Sequence, residues 1–210
     1  SLVRCASSRP KLDPSKLDAI ILTHRHLDHS GDINVMIEAM TEGGFKKRGI
    51  VFLPKDAIEA DPVILGHTRQ FPEKIEILEE GKAYKAGEFE FQTSMRHIHP
   101  VETYGIKFKL KHTSVSLLTD TKYFRELADF YKTDILIICV VFFEPRPGID
   151  HLNFSDVEAL INEIKPKKAV LTHFGMTMLK AKPYLKAEEL AKRSGIEVLA
   201  AYDGMTVEIS

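Results

Sequence analysis

Residues 23–32 read THRHLDHSGD and place three histidines and two aspartates directly after the short apolar run AIIL. Imidazole and carboxylate groups are the side chains with which proteins bind divalent metal ions such as Zn²⁺. A short apolar strand that ends in a polar loop is typical of layered α/β folds, in which loops at the carboxyl ends of strands collect functional groups. The stretch therefore indicates a metal site at the edge of a sheet.

Further residues of the same chemical kind follow other predicted segments, and this recurrence supports the metal interpretation. Of the nine histidines, six stand at strand ends or loop starts, and His67, His97 and His112 are the remaining three. Asp120 directly follows the apolar stretch SVSLLT. The ligand-type residues outside the first loop are His99, Asp120, His151 and His173.

The hydrophobic pattern along the chain predicts alternating helices and strands. Apolar residues recur with helical spacing through residues 30–42, and Gly43-Gly44 ends that helix. Residues 74–119 alternate like a meander of strands. Other strands are predicted at 18–23, 49–53, 134–140, 168–172 and 196–200, helices at 123–131, 155–164 and 187–195, and a last hairpin around Asp203-Gly204.

Length and composition predict one globular domain over residues 1–210, with 44% hydrophobic and 28% charged residues. A net charge of −1 provides no general basic field for nucleic acid. The longest apolar run has nine residues, 135–143, and a membrane span needs about 20. Cys5 and Cys139 are interpreted as reduced thiols. We expect a soluble, cytoplasmic protein that does not bind a membrane.

The letters HRHLDH match the HxHxDH signature of the metallo-β-lactamase fold superfamily, which the chain resembles. His99, Asp120 and His173 match the later metal-binding motifs of that family in the right order. The resemblance implies an α/β fold, an αβ/βα four-layer sandwich of two mixed sheets flanked by helices. Members usually begin with further strands, and only residues 1–22 stand before this loop, so we expect reduced or missing N-terminal strands.

The resemblance also implies two divalent metal ions and a ligand set for each. One ion would be bound by His24, His26 and His99, the other by Asp28, His29 and His173, and Asp120 would bridge them. The histidine-rich set favours Zn²⁺, although the carboxylates suit Mn²⁺ or iron. His97 is a rival of His99, but Gly105, six residues after His99, fits the family pattern. The alternative for His97 is a residue that supports the metal ligands without binding a metal itself.

The stretch HLNFSDVEALINEIKPKKAVLTHFG resembles the phosphodiesterase branch of the family, which includes tRNase Z and the cyclic-phosphate phosphodiesterase of phosphonate breakdown. In that branch an additional histidine before a helix faces the site, and His151 fits as its proton donor. The alternative is a surface histidine at a helix start. The implied reaction is attack on phosphorus by a metal-bridging hydroxide that Asp28 helps to orient. Thioester hydrolases of the glyoxalase type have TPGHTxG where this chain has RHIHPVETYG.

Three functional interpretations follow, and the first is favoured. His99 and Asp120 are only 21 residues apart, which leaves room for a hairpin but not for the tRNA-binding arm of tRNase Z, so the expected substrate is a small or cyclic phosphodiester. An RNA-processing endonuclease is the second, with basic residues at 46–48 and at Lys107, Lys109 and Lys111, although a solvated strand face explains those lysines better. The third is a non-catalytic metal- or ligand-sensing domain. The oligomeric state is not defined, and a homodimer is compatible with the sequence.

Overall fold

The computed structural model describes residues 2–59 and 61–209. Its chain divides into two compact units, residues 1–90 and 91–210. Each unit has its own cluster of buried apolar side chains. The single domain expected over residues 1–210 stays a prediction. Among residues 2–59 and 61–209, none of the helices combines the length and the apolar composition of a membrane span.

The elements of the first unit are α1 (Leu2–Ser7), β1 (Ala19–Ile21), α2 (Leu27–Ser30), α3 (Ile33–Met40), β2 (Ile50–Leu53), β3 (Lys74–Ile77) and β4 (Ala83–Ala86). Three of its strands form a parallel sheet in the order β1-β2-β3. Ile37 and Met40 of helix α3 pack with Val51 and Leu53 of β2 in the core of this unit.

Residues 74–77 do not belong to the predicted meander, so that prediction is wrong. They form β3, which pairs with β2 in parallel, with Val51 opposite Ile75. Parallel neighbours need a crossover connection of a dozen or more residues, and residues 54–73 supply it. Ile75 and Ile77 also pack against the apolar cluster of the first unit, which keeps the strand in that sheet.

The larger sheet has seven strands in the order β10-β9-β8-β7-β6-β5-β4. Strands β5 to β7 are antiparallel neighbours and β7 to β10 are parallel ones, so the sheet is mixed as expected. The boundary between the units falls within β5. The elements are β5 (Phe89–Thr93), β6 (Ile106–Leu110), β7 (Thr113–Leu118), α4 (Leu127–Phe130), β8 (Ile135–Cys139), α5 (Phe154–Ile164), β9 (Lys168–Thr172), α6 (Met176–Lys180), α7 (Pro183–Ser194) and β10 (Glu197–Ala200).

Helix α5 shows how local sequence positions the residues next to it. The Asn153 side chain accepts hydrogen bonds from the backbone N–H groups of Ser155 and Asp156, and the Asp156 side chain accepts one from the Asn153 backbone. This capping box fixes the start of the helix. Its apolar face is buried against the core of the second unit through Val157, Leu160, Ile161 and Ile164. The loop that holds His151 therefore ends at a well-defined point.

Two predicted elements were wrong in extent. The helix expected at 123–131 is reduced to α4 (Leu127–Phe130), and a turn closed by Leu127 N–H and Phe124 O (3.3 Å) precedes it. The hairpin at Asp203-Gly204 has its turn, closed by a bond from Met205 N–H to Tyr202 O (3.0 Å), but residues 205–209 form no strand. Their side chains are half-buried at most, so little apolar burial offsets the entropy of ordering them.

Candidate metal centre

The first motif gathers three imidazoles within one turn of the first unit. His24 is fully buried after β1, His26 caps α2, and Asp28 and His29 lie within that short helix. The ring of His24 is 5.0 Å from that of His26 and 4.0 Å from that of His29, measured between centroids. His24 Nδ1 is 3.2 Å from Thr23 Oγ1, so Nε2 is the nitrogen that His24 can offer to a metal.

The later motifs meet within the second unit. His99, Asp120 and His151 offer ligand atoms that all lie within 4.8 Å of one another. Asp120 Oδ2 is 3.7 Å from His151 Nδ1 and 3.7 Å from His173 Nε2. Asp120 closely follows β7 and His173 directly follows β9. The two residues lie close together because the carboxyl ends of these parallel strands share one edge of the sheet. The structure thus brings Asp120, His151 and His173 close together, and their role as metal ligands stays a prediction.

His99 is oriented by the loop that precedes α5. Its Nδ1 is 3.0 Å from the backbone carbonyl oxygen of Asp150. A carbonyl oxygen only accepts hydrogen bonds, so Nδ1 carries the proton and Nε2 presents its lone pair. Metal-binding histidines commonly have such a second partner, which fixes both tautomer and ring direction. His151 directly follows Asp150. Its ring lies edge-on to the His99 ring, with centroids 5.0 Å apart, and is stacked with the His173 ring, with centroids 6.5 Å apart.

His173 has backbone strain of a kind found at functional sites. Its φ is +59°, in the left-handed region that residues with a Cβ seldom adopt. This conformation turns the chain away from β9 immediately after Thr172. The turn leaves the imidazole beside the Asp120 carboxylate.

A family model confirms the resemblance on which these assignments rest. Residues 3–174 match the Beta-lactamase superfamily domain. The chain belongs to the metallo-β-lactamase fold superfamily. Its relatives in that superfamily include metallo-hydrolases.

Two similar sequences and two similar structures extend this result. An uncharacterized protein of Methanocaldococcus jannaschii, MJ1374, is 28% identical over 95% of this chain and 77% of its own length. The probable metallo-hydrolase YhfI of Bacillus subtilis is 29% identical over 75% of this chain and 66% of its own length. The crystal structure of YhfI matches with a TM-score of 0.76 and 23% identity, covering 91% of this chain and 78% of that one. The crystal structure of a diphosphatase from the PhnP family matches with a TM-score of 0.64 and 21% identity, covering 90% of this chain and 69% of that one.

His97 occupies a different environment from His99. It is 3% exposed, its Nδ1 is 3.0 Å from the backbone oxygen of Asp120, and its Nε2 is 2.7 Å from the Tyr131 hydroxyl. Burial lowers the pKa of His97 to about 4, which keeps the imidazole neutral at physiological pH. Both ring nitrogens are thus engaged by protein groups. This geometry favours His99 over His97 as the ligand in this metallo-β-lactamase fold.

Gly105 owes its position, six residues after His99, to close packing. A Cβ on Gly105 would overlap the Tyr131 hydroxyl and lie 2.6 Å from the carbonyl oxygen of Leu117. The spacing alone does not reveal this cause. Tyr131 and Asp150 could not be predicted from the sequence, because they contact side chains 34 and 51 positions away. Only the adjacency of Asp150 to His151 was a usable signal.

The donor chemistry of each unit fits divalent metal ions. The first unit offers imidazoles and the Asp28 carboxylate, and the second offers imidazoles and the buried carboxylate of Asp120, which is 2% exposed. Neutral imidazole with carboxylate suits Zn²⁺, and also Mn²⁺ and iron. The carboxylate of Asp120, within reach of two histidines, is the group best placed to share a cation in the second unit.

Proposed function

We propose that the protein is a dinuclear metal-dependent phosphodiesterase that acts on a small or cyclic phosphodiester. The observation that carries the proposal is the position of His151. It lies beside Asp120 and His99, yet it is additional to the histidines of the family ligand pattern. A hydrolase that expels an alkoxide needs a proton donor near its metals, whereas a sensing domain needs none.

The proposed ligand assignment follows the family resemblance. His24, His26 and His99 would hold one ion, Asp28, His29 and His173 the other, and Asp120 would bridge both. When bound, the ions would supply an activated water and neutralise charge that develops on the phosphoryl oxygens. Zn²⁺ is the proposed metal because imidazoles dominate the set.

His151 is proposed as the general acid. Its Nδ1 lies 3.7 Å from Asp120 Oδ2, and a carboxylate at that distance attracts the positive charge of an imidazolium. The edge-on ring of Phe142, with centroids 5.9 Å apart, and the capping box of α5 limit the orientations of its loop. The imidazolium would give its proton to the leaving oxygen as the P–O bond breaks. Asp28 is proposed to orient the attacking water.

The expected substrate size follows from the hairpin between His99 and Asp120. Strands β6 and β7 pair in register from Ile106–Leu117 to Leu110–Thr113, and a turn at 111–112 joins them. The segment therefore carries no long arm that could grip a folded RNA. The PhnP-family diphosphatase with the same fold supports a substrate with a phosphorus centre. A small or cyclic phosphodiester fits these features.

The basic strand β6 gives little support to an RNA-processing endonuclease. Lys107 Nζ lies 4.4 Å from the centroid of the Phe130 ring and 3.4 Å from the Phe130 carbonyl oxygen. This lysine is thus engaged within the second unit. Lys109 and Lys111 therefore do not form a continuous basic stripe with Lys107 that could bind RNA.

A substrate panel tests the proposal. Protein loaded with Zn²⁺ or Mn²⁺ should hydrolyse bis(p-nitrophenyl) phosphate or 2′,3′-cyclic nucleotides, and should leave a β-lactam and a thioester intact. Chelation should abolish turnover, and added metal should restore it. Turnover of the β-lactam or thioester without turnover of any phosphodiester would refute the proposal. Cleavage of structured RNA alone would favour the nuclease.

A further inference from the structure

Two hydrogen bonds tie the loop that carries His99 to the segment that begins at Asp120. His97 Nδ1 lies 3.0 Å from the Asp120 carbonyl oxygen, and the Lys122 N–H donates to Ile98 O at 2.9 Å. The bonds come from adjacent residues of one loop and reach positions on either side of Thr121. They therefore fix the backbone of Asp120 relative to the backbone of His99.

The chemistry of the partners defines the state of His97. The Asp120 carbonyl can only accept, so Nδ1 carries the proton, and Nε2 of the neutral ring then accepts from the Tyr131 hydroxyl at 2.7 Å. Tyr131 is fully buried, and burial raises its pKa, so it remains a hydroxyl donor. The order of donation runs from Tyr131 through His97 to the backbone of Asp120.

The surroundings leave this chain of bonds little freedom. The Tyr131 hydroxyl occupies the space where Gly105 lacks a side chain. Gly105 N–H donates to Ser94 Oγ (2.9 Å), and the Ser94 N–H donates back to Gly105 O (2.9 Å). Ser94, His97 and Tyr131 are all buried. A side chain held at both ends in such packing has essentially one orientation.

We propose that His97 is a positioning residue that sets the distance between His99 and Asp120 by donating from Nδ1 to the Asp120 carbonyl oxygen. This inference rests on the proposed function for the role of Asp120 and His99 as metal ligands. Both ring nitrogens of His97 are engaged by Asp120 and Tyr131, so the imidazole offers neither of them to a metal. Its removal should weaken metal binding because the Asp120 carboxylate would lose its fixed direction.

Two isosteric variants separate the two ends of the imidazole. In His97→Asn the amide nitrogen takes the place of Nδ1 and can donate to Asp120, but the side chain cannot reach Tyr131. In His97→Gln the longer amide takes the place of Nε2, meets Tyr131 and leaves Asp120 without this bond. Tyr131→Phe is the matched control, because it removes the same contact as His97→Asn from the other side.

The experiment measures the Zn²⁺ affinity of each variant by competition with a chromophoric chelator, together with thermal unfolding of the metal-free proteins. We expect His97→Gln to bind Zn²⁺ about 10–100-fold more weakly. His97→Asn and Tyr131→Phe should stay near the wild-type affinity, although all three variants unfold at lower temperature. Wild-type affinity in His97→Gln, or equal loss in all three variants, would overturn the proposal and leave His97 as a packing residue.

A second measurement on the wild-type protein holds even if His97→Gln does not fold. Long-range ¹H–¹⁵N correlation spectra of histidine-labelled, metal-free protein should show the Nδ1–H tautomer at His97. The Nε2–H tautomer would overturn the proposal, because that ring could not donate to Asp120. Neither measurement uses a substrate. Failure of the phosphodiester panel would therefore refute the proposed function and leave this inference standing.

Discussion

Gly105 shows how a single residue without a side chain determines the packing behind the candidate centre. The Tyr131 hydroxyl stands where a Cβ would be, and the same hydroxyl donates to His97. Leu117 of β7 closes the space on another side with its carbonyl oxygen. The glycine is therefore required by its neighbours and not by a left-handed backbone.

We expect Gly105→Ala to lower the free energy of unfolding by about 1–3 kcal/mol or more, the usual cost of forcing atoms into a packed core. Gly66→Ala is the control, since a Cβ there meets no atom within 4 Å, and its effect should stay within about 0.5 kcal/mol. Urea unfolding of both variants measures the difference. Equal stability of the two would contradict the packing account.

A residue that stands directly after an apolar strand can be placed from the sequence. Apolar runs precede His24, Asp120 and His173, and this pattern predicts their position at strand ends, whereas their role as metal ligands stays a prediction. The function of His97 was left open, because its two partners, Asp120 and Tyr131, are 23 and 34 positions away. No local pattern distinguishes a histidine held by such partners from one that faces a metal.

At the scale of elements, Asp134 joins three neighbouring strands of the larger sheet. Its carboxylate accepts from the Ser114 hydroxyl (2.6 Å) and backbone N–H (2.9 Å) at the start of β7, and it pairs with Lys167 Nζ (2.9 Å) just before β9. The backbone carbonyl of Asp134 also accepts from the Lys168 N–H. Asp134 itself stands one residue before β8. The Ser114 hydroxyl, above all, holds the pKa of Asp134 below its usual range.

The lowered pKa predicts how the contribution of Asp134 depends on pH. An aspartate with a depressed folded-state pKa stabilises the fold above its unfolded pKa, about 4, and loses that effect as pH falls through the folded-state pKa. Asp134→Asn should therefore unfold at a lower temperature than wild type at pH 7, and the gap should shrink below about pH 4. Ser114→Ala, which removes the main cause, should show the same trend. A gap that persists unchanged at pH 2 would contradict the assigned cause.

Helices and strands could be predicted where the spacing of apolar residues has a clear helical or strand period. Helix α3, helix α5 and the parallel strands β7 to β9 lie where apolar spacing indicated. The sheet to which a strand belongs was not predictable, and β3 was misplaced because pairing depends on the crossover of residues 54–73. The helix expected at 123–131 is shorter, because its first residues form a turn closed by Leu127 N–H and Phe124 O.

At the scale of the whole molecule, the proposed ligands extend from residue 24 to residue 173 and come from both units. Membership of the metallo-β-lactamase fold superfamily explains their order along the chain. The fold hosts many reactions, so it does not define the substrate. Within the second unit, His151 is the residue that says most about the reaction, because it is close to Asp120 without belonging to the family ligand set.

The position of His151 allows two roles that differ in a measurable way. It shares a group of ligand atoms with His99 and Asp120, so a metal ligand would sit there as readily as an acid. A general acid raises the hydrolysis rate most when the leaving group is poor, since an alkoxide needs a proton as the P–O bond breaks. A p-nitrophenolate leaves as a stable anion. A ligand would matter for both kinds of substrate.

The most direct test of the account compares wild type with His151→Ala on these two kinds of substrate at full metal loading. We predict that the variant keeps two metal equivalents per chain and loses about 10²–10⁴-fold in rate on a 2′,3′-cyclic nucleotide. Its loss on bis(p-nitrophenyl) phosphate should be much smaller. Equal losses on both substrates, or the loss of one metal equivalent, would contradict the proton-donor role of His151.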